Sequence, residues 1–268
     1  VTYNDYLRFN ENIGVALIEN QQVRLQDATV ALVLAKHADK EYDSFVYRTF
    51  SGVYFTDEEN EWIDTVAQNI RDLPCRFERA LAYYALYQAC IAKRPYNLFH
   101  RANLYMRTAD VHRGFGNKAT WDKPFEDHFL AFVCEANGAV FNSGISCRAV
   151  CTDALSLPSG FDLVYIDTPY FNAKGIGVNY HDFYHFLEGL TDHRTWFERI
   201  DRSKKHRTLL PRHSAWSNAK KCREGFAELF EKFRNSILVV SYRSDGIPTE
   251  SQLVDLLRST KQNVRALH

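Results

Sequence analysis

The sequence predicts an α/β fold: a mostly parallel sheet with helices on both faces, interrupted by a helical insertion. Three observations predict it. Short apolar runs stop at acids near 1–5, 147–153 and 161–167. Helical spacing of apolar residues follows these runs, and a long stretch from 27 to 135 reads as mainly helical. Strands alternating with helices pack as parallel strands covered by their crossovers.

Val1-Thr2-Tyr3-Asn4-Asp5 reads as a strand end closing on a carboxylate, and 10–20 follows with helical spacing through Ile13, Leu17 and Ile18. A strand at the first residue leads to the expectation that the chain opens inside a domain. Residues 28–38 are a helix candidate. Thr56-Asp57-Glu58-Glu59 is a helix start, with Thr56 as N-cap and Glu59 as its reciprocal partner; that helix should run to about Arg71. A long apolar helix is expected over 76–92, an irregular basic and aromatic stretch over 93–124, and a helix over 121–137. In the second half, 147–151 is a strand candidate ending at Asp153, and 161–166 an apolar run stopping at Asp167. Helices are expected over 180–190, 221–233 and 249–260, a buried strand over 236–242, and a partial strand at the chain end. The fold would then comprise one domain from 1–26 and 136–268, with 27–135 as the insertion.

Bulk properties exclude several classes. Hydrophobic residues make up 46% and charged residues 25%, ordinary for a soluble globular protein. No run of about 18 apolar residues exists, so no membrane span is expected. The start carries Asp5 and Arg8 and does not read as a signal peptide. The cysteines (Cys75, Cys90, Cys134, Cys147, Cys151, Cys222) have irregular spacing and no C-x-x-C pair, which points to reduced thiols, no structural metal and a cytoplasmic location. Net charge is +0, which argues against indiscriminate nucleic-acid binding. The charge is nevertheless uneven: Lys93, Arg94, Arg101, Arg107, Arg113 and Lys118 face only Asp110, and Arg202, Lys204, Lys205, Arg207 and Arg212 lie in a stretch without an acid. Such blocks inside a neutral chain suit a directed anion-binding surface; solvated loops are the plainer alternative.

The segment that carries chemistry is Leu163-Val164-Tyr165-Ile166-Asp167-Thr168-Pro169-Tyr170. A buried strand delivers an acid, a proline-stiffened turn and an aromatic ring at its carboxyl end, where open α/β sheets place ligands. Asp167-Thr168-Pro169-Tyr170 resembles the Asp-Pro-Pro-Tyr tetrapeptide of amino-group DNA methyltransferases. The run from Tyr180 to Leu190 (Tyr-His-Asp-Phe-Tyr-His-Phe-Leu-Glu-Gly-Leu) resembles the D12 class of adenine methylases. Asn4-Asp5-Tyr6-Leu7 and Cys151-Thr152-Asp153-Ala154 look like its acidic cofactor motifs. The resemblance covers nearly the whole chain.

The resemblance implies a Rossmann-like methyltransferase sheet with a helical target-recognition insertion. It also implies S-adenosylmethionine as methyl donor, and transfer to adenine N6 of a base flipped out of double-stranded DNA. Asp167, Thr168, Pro169 and Tyr170 would be catalytic; Asp5, Tyr6, Asp153, Ala154 and Asp167 would bind the cofactor. The family proline is replaced by Thr168; if the role there is a main-chain carbonyl, activity survives. The family's Phe-x-Gly-x-Gly loop should lie one strand before Asp5. Phe50-Ser51-Gly52-Val53-Tyr54 begins similarly, but Tyr54 replaces the second glycine, and we read it as chance. The insertion mixes arginine, asparagine and aromatics, so Arg101, Arg107, Arg113 and Lys118, with Lys204 and Lys205 beyond it, are the expected DNA contacts. Residues 241–246 are expected to form part of the active-site wall. A cognate restriction endonuclease is an expected partner. Transfer to cytosine N4, and a DNA-binding relative that has lost transfer, remain open.

Overall fold

The computed structural model describes residues 1–110, 118–212 and 214–268. The backbone divides into two compact units, one from Val1–Cys151 and His181–Leu210, the other from Thr152–Tyr180 and Pro211–His268.

The first unit opens on β1 (Thr2–Asp5), which pairs in parallel with β2 (Arg148–Cys151), so that Asp5 lies opposite Cys151. Between them run α1 (Arg8–Gly14), extended by a π-helical turn Val15–Glu19, then α2 (Asp27–Leu34), α3 (Phe45–Phe50), α4 (Asp57–Asp72) and α5 (Arg76–Ala92). Two short helices, α6 (Tyr105–Thr108) and α7 (Lys118–Asp122), lead to α8 (Phe125–Ala139). The helical stretch expected as an insertion is thus part of this unit. Gly14 lets α1 lie close on the strand pair: a Cβ there would stand 2.4 Å from a Tyr3 ring carbon and 3.0 Å from the Ala149 Cβ.

Local chemistry accounts for several boundaries. Thr56 caps α4 by accepting from Glu59 N, and Glu59 Oε2 accepts from Thr56 N at 2.9 Å, the reciprocal pair read from the sequence. The six-residue α3 has no such local signal. Its first N–H groups donate instead to Asp64 of α4, from Val46 at 2.8 Å and from Tyr47 at 2.9 Å. Tyr54, Phe55, Phe99, Phe186 and Trp196 are fully buried and pack ring against ring. Each contributes roughly 1.5–3 kcal/mol by leaving water.

In the second unit β3 (Leu163–Asp167) pairs in parallel with β4 (Ile237–Ser241), and Asp167 lies opposite Ser241. The chain re-enters the first unit through α9 (Tyr180–Phe183), α10 (His185–Thr191) and α11 (His193–Arg199), then returns to build α12 (Ala219–Lys232) and α13 (Glu250–Arg258). Ile166 is buried with Phe226, Leu229, Phe230 and Leu253, and Val164, Leu238 and Val240 pack against that cluster.

Parallel pairing and interleaved helices agree with the α/β expectation, but the four strands form two separate two-stranded sheets. No further strand among the described residues joins them into the continuous sheet expected. The helix expected over 28–38 ends at Leu34. Helix 121–137 is divided at Pro124, which has no N–H for a continuing ladder. Helix 180–190 breaks at Tyr184, where φ is −118° and ψ 18°. The strand expected at the chain end is absent; 262–268 has no regular structure.

Candidate active site

Side chains alternate across β3, so Leu163, Tyr165 and Asp167 point away from the core while Ile166 points into it. Asp167 therefore ends the strand exposed. Its Oδ1 accepts a short hydrogen bond from the Tyr170 hydroxyl. That bond first, and burial second, raise the Tyr170 phenol above its ordinary pKa. The Tyr170 ring stands edge-on to Tyr242, with centroids 5.3 Å apart and planes at 80°.

Tyr242, immediately after β4, ties the motif's turn to the strand end beside it. Its hydroxyl accepts from Phe171 N at 3.3 Å and donates to Ile247 O at 2.5 Å, while Ile247 N donates to Phe171 O at 3.0 Å. Burial pushes the Tyr242 hydroxyl well up. Beyond it, 171–177 forms a tight hairpin. Asn172 Oδ1 accepts from Lys174 N at 2.9 Å and Ile176 N at 3.0 Å, and Gly175 supplies the left-handed residue at φ +74°. Val178 N returns to Tyr170 O at 3.3 Å. The second unit thus brings Asp167, Thr168, Pro169, Tyr170, Ser241 and Tyr242 together at the carboxyl end of β3–β4. The sequence had marked 241–246 as a wall; the anchoring by the Tyr242 hydroxyl had no sequence signal. Thr168 Oγ1 is buried without a hydrogen-bond partner, so its hydroxyl adds nothing to the turn.

The two acids expected at the cofactor make local bonds. Asp5 Oδ1 accepts from Leu7 N at 2.8 Å and Oδ2 from Asn10 Nδ2 at 3.0 Å, and burial raises its pKa against these bonds. Tyr6 is half-buried, and its carbonyl accepts from Cys151 Sγ at 3.5 Å. Asp153 Oδ1 accepts from Leu155 N at 2.9 Å and caps the 3₁₀ turn that Ala154 begins.

The expected DNA contacts fare differently. Arg101, Lys204 and Lys205 are exposed, as is Lys118, which pairs with Asp122 at 2.9 Å. Arg113 lies outside the described residues. Arg107 is turned inward, its side chain 7% exposed, with Nη2 2.6 Å from Glu59 Oε1 and Nη1 2.8 Å from Oε2. Lys93 Nζ lies 2.6 Å from the same carboxylate. Burial alone would raise Glu59, but the bonds from Arg107 and Lys93 outweigh it and hold its pKa low. Among the described residues no disulfide forms, no cluster of His, Cys, Asp and Glu is placed to hold a metal, and no helix is long and apolar enough to cross a membrane.

The site is thus the acid–turn–aromatic end of a parallel strand pair in an α/β chain. Over 195 residues the chain is 29% identical to the Type II methyltransferase M2.HphI of Haemophilus parahaemolyticus. The alignment covers 70% of this chain and 56% of that protein's length. No protein-family model matches the chain, and no solved structure does.

Proposed function

We propose that this chain carries the catalytic centre of a site-specific DNA methyltransferase of the D12 type, which moves a methyl group from S-adenosylmethionine to adenine N6. The observation that carries the reading is Asp167, exposed at the carboxyl end of β3 three residues before the Tyr170 ring. Similarity to a Type II methyltransferase supports it independently. A Rossmann-like methyltransferase fold belongs to the same proposal.

The chemistry requires these residue types. The N6 lone pair is delocalised into the adenine ring, so the amino group attacks only when its hydrogens are held and the lone pair is turned toward the methyl group. Asp167 accepts one amino hydrogen and the Thr168 carbonyl the other. Pro169 fixes the turn, and Tyr170 gives the extruded base a flat face. The base must leave the stack because a duplex hides N6 from in-line approach. Asp167 would also receive the N6 proton released once the amino group has taken the methyl group that the cofactor supplies. Positioning provides most of the acceleration.

The donor set fits the cofactor. Asp5 accepts from Leu7 N at 2.8 Å, from Asn10 Nδ2 at 3.0 Å, from Tyr6 N and, at 3.5 Å, from the Tyr3 hydroxyl; on a carboxylate with about four lone-pair sites, a ribose hydroxyl would take the place of the long Tyr3 bond. Asp5, beside Tyr6, would take ribose hydroxyls; Asp153, beside Ala154, would take an amino group. The cofactor supplies an electrophilic methyl group. Arg101, Lys118, Lys204 and Lys205 remain the proposed duplex contacts, with a cognate restriction endonuclease as the proposed partner in the cell. Arg107 is committed to Glu59, and we leave it out of that surface.

The test is product analysis. The full-length protein, methyl-labelled S-adenosylmethionine and genomic DNA should yield N6-methyladenine on digestion to nucleosides. N4-methylcytosine alone would move the reading to cytosine, and no labelled nucleoside would support a DNA-binding relative without transfer.

A further inference from the structure

Within the first unit, exposed cations sit on two segments nearly 100 residues apart in sequence, and buried polar groups fasten both to one side chain. The first segment is the loop 95–103. Arg94, fully buried, spans it from below: its guanidinium donates to Leu98 O at 2.8 Å, to Arg101 O at 3.1 Å and to the Asn103 side chain. It lies 4.2 Å from the centroid of the Tyr54 ring. The loop's far end is held by Val53 O, which accepts from Asn103 N and Leu104 N, each at 3.1 Å.

The second segment is the hairpin 200–209, closed by an Ile200–Leu209 bridge and by Asp201 N donating to Thr208 O at 2.7 Å. Thr208 Oγ1 lies 2.5 Å from Asp182 Oδ1, and the His206 imidazole 3.7 Å from the same atom. The neighbouring His206 imidazole first, and the bond from Thr208, hold Asp182 down to about 2 despite burial.

Tyr54 joins the two. Its hydroxyl lies 2.5 Å from Phe99 O in the loop, 2.9 Å from His206 O in the hairpin and 2.8 Å from His185 Nε2. A phenol has one proton, so Tyr54 serves one carbonyl at a time. His185, fully buried, then presents Nε2–H to the hydroxyl or to Phe99 O at 3.2 Å. Burial pushes this imidazole down to about 3, so it stays neutral at physiological pH and donates from one nitrogen.

The clasp presents cations and rings. Arg101 is exposed on the loop, and no acid occurs between 95 and 107. Tyr96 is 72% exposed at φ 63°, a conformation uncommon for residues other than glycine. Lys204 and Lys205 are exposed on the hairpin, and Arg202 lies 4.4 Å from the centroid of the exposed Phe197 ring. The hairpin's acid, Asp201, accepts from Ser203 N at 3.0 Å and from its hydroxyl. Clustered cations beside flat rings match the chemistry of phosphodiesters and bases.

We propose that the 95–103 loop and the 200–209 hairpin form one DNA-backbone-binding surface, with Tyr54 as the positioning residue that keeps its halves in register. The identity of the partner rests on the functional reading above. The test is duplex binding by the full-length protein, followed by fluorescence anisotropy across a salt series with no methyl donor present. Each phosphate contact contributes about 0.9 to the slope of log affinity against log salt. Arg101→Gln should lower that slope by about 1, and Lys204→Gln with Lys205→Gln by about 2. Tyr54→Phe removes no charge, yet should lower the slope while the protein still melts cooperatively. Should Tyr54→Phe fail to fold, Thr208→Val loosens the hairpin from Asp182 and reads the same quantity. An unchanged slope in the charge variants, or in a folded clasp variant, overturns the proposal. Methyl transfer with unchanged slopes sinks the surface alone; altered slopes without methyl transfer sink the catalytic reading alone.

Discussion

The two parallel strand pairs begin alike and are finished differently. β1 ends at Asp5 and β3 at Asp167, each a carboxylate at the carboxyl end of a strand. Asp5 accepts from the N–H two residues on, that of Leu7, the residue just before α1. Asp153, past the end of β2, accepts from the N–H two residues on as well, that of Leu155. At Asp167 the residue two on is Pro169, which has no N–H. The same side chain therefore cannot fold back into the Asx-type turn that occupies the other two. It stays exposed and takes the Tyr170 phenol instead. A proline two places after a strand-ending acid keeps the carboxylate available to a substrate, beyond stiffening the backbone.

That difference can be broken by restoring the missing donor. Pro169→Ala offers Asp167 an N–H at the Asx position, and a hydrogen bond of about 0.5–1.5 kcal/mol would hold the carboxylate back from the base. Methyl transfer should fall roughly 2- to 10-fold. Full activity would mean that the proline acts through turn stiffness or not at all. A smaller effect sharpens the contrast from the other side. Asp5→Ala should cost about 1 kcal/mol of stability through loss of the bonds from Leu7 N and Asn10 Nδ2, read as a lowered denaturant midpoint. Asp167→Ala, at an exposed position, should change stability by less than about 0.5 kcal/mol. Equal losses at the two positions would dissolve the distinction between an acid bonded into its own turn and one kept clear of it.

How much of this was legible in the sequence follows from how local each signal is. The Thr56–Glu59 capping box was readable because both partners lie within one turn. The acid–turn–aromatic motif was readable because its parts lie within four residues. The short helix α3 was not, because its cap is Asp64, 18 residues from Val46. Arg107 looked like a DNA contact because its block is basic, but its partner Glu59 stands 48 residues away. Tyr54 entered the sequence reading only as the residue that spoiled a glycine-loop resemblance, and its hydroxyl proves to lie within hydrogen-bond reach of Phe99 O, His206 O and His185. The alternation of strands and helices was legible, but which strand pairs with which was not, because pairing depends on long-range contacts that periodicity does not encode.

The central claim is that the carboxylate of Asp167 holds an amino group for methylation. It is tested most directly by expressing the full-length protein and its Asp167→Ala variant in a host free of DNA methylation and measuring N6-methyladenine in the host genome. The account predicts the modified base with the wild-type protein and its loss, by at least two orders of magnitude, with a variant that remains folded. Equal modification by both proteins, or none by the wild type, would contradict it.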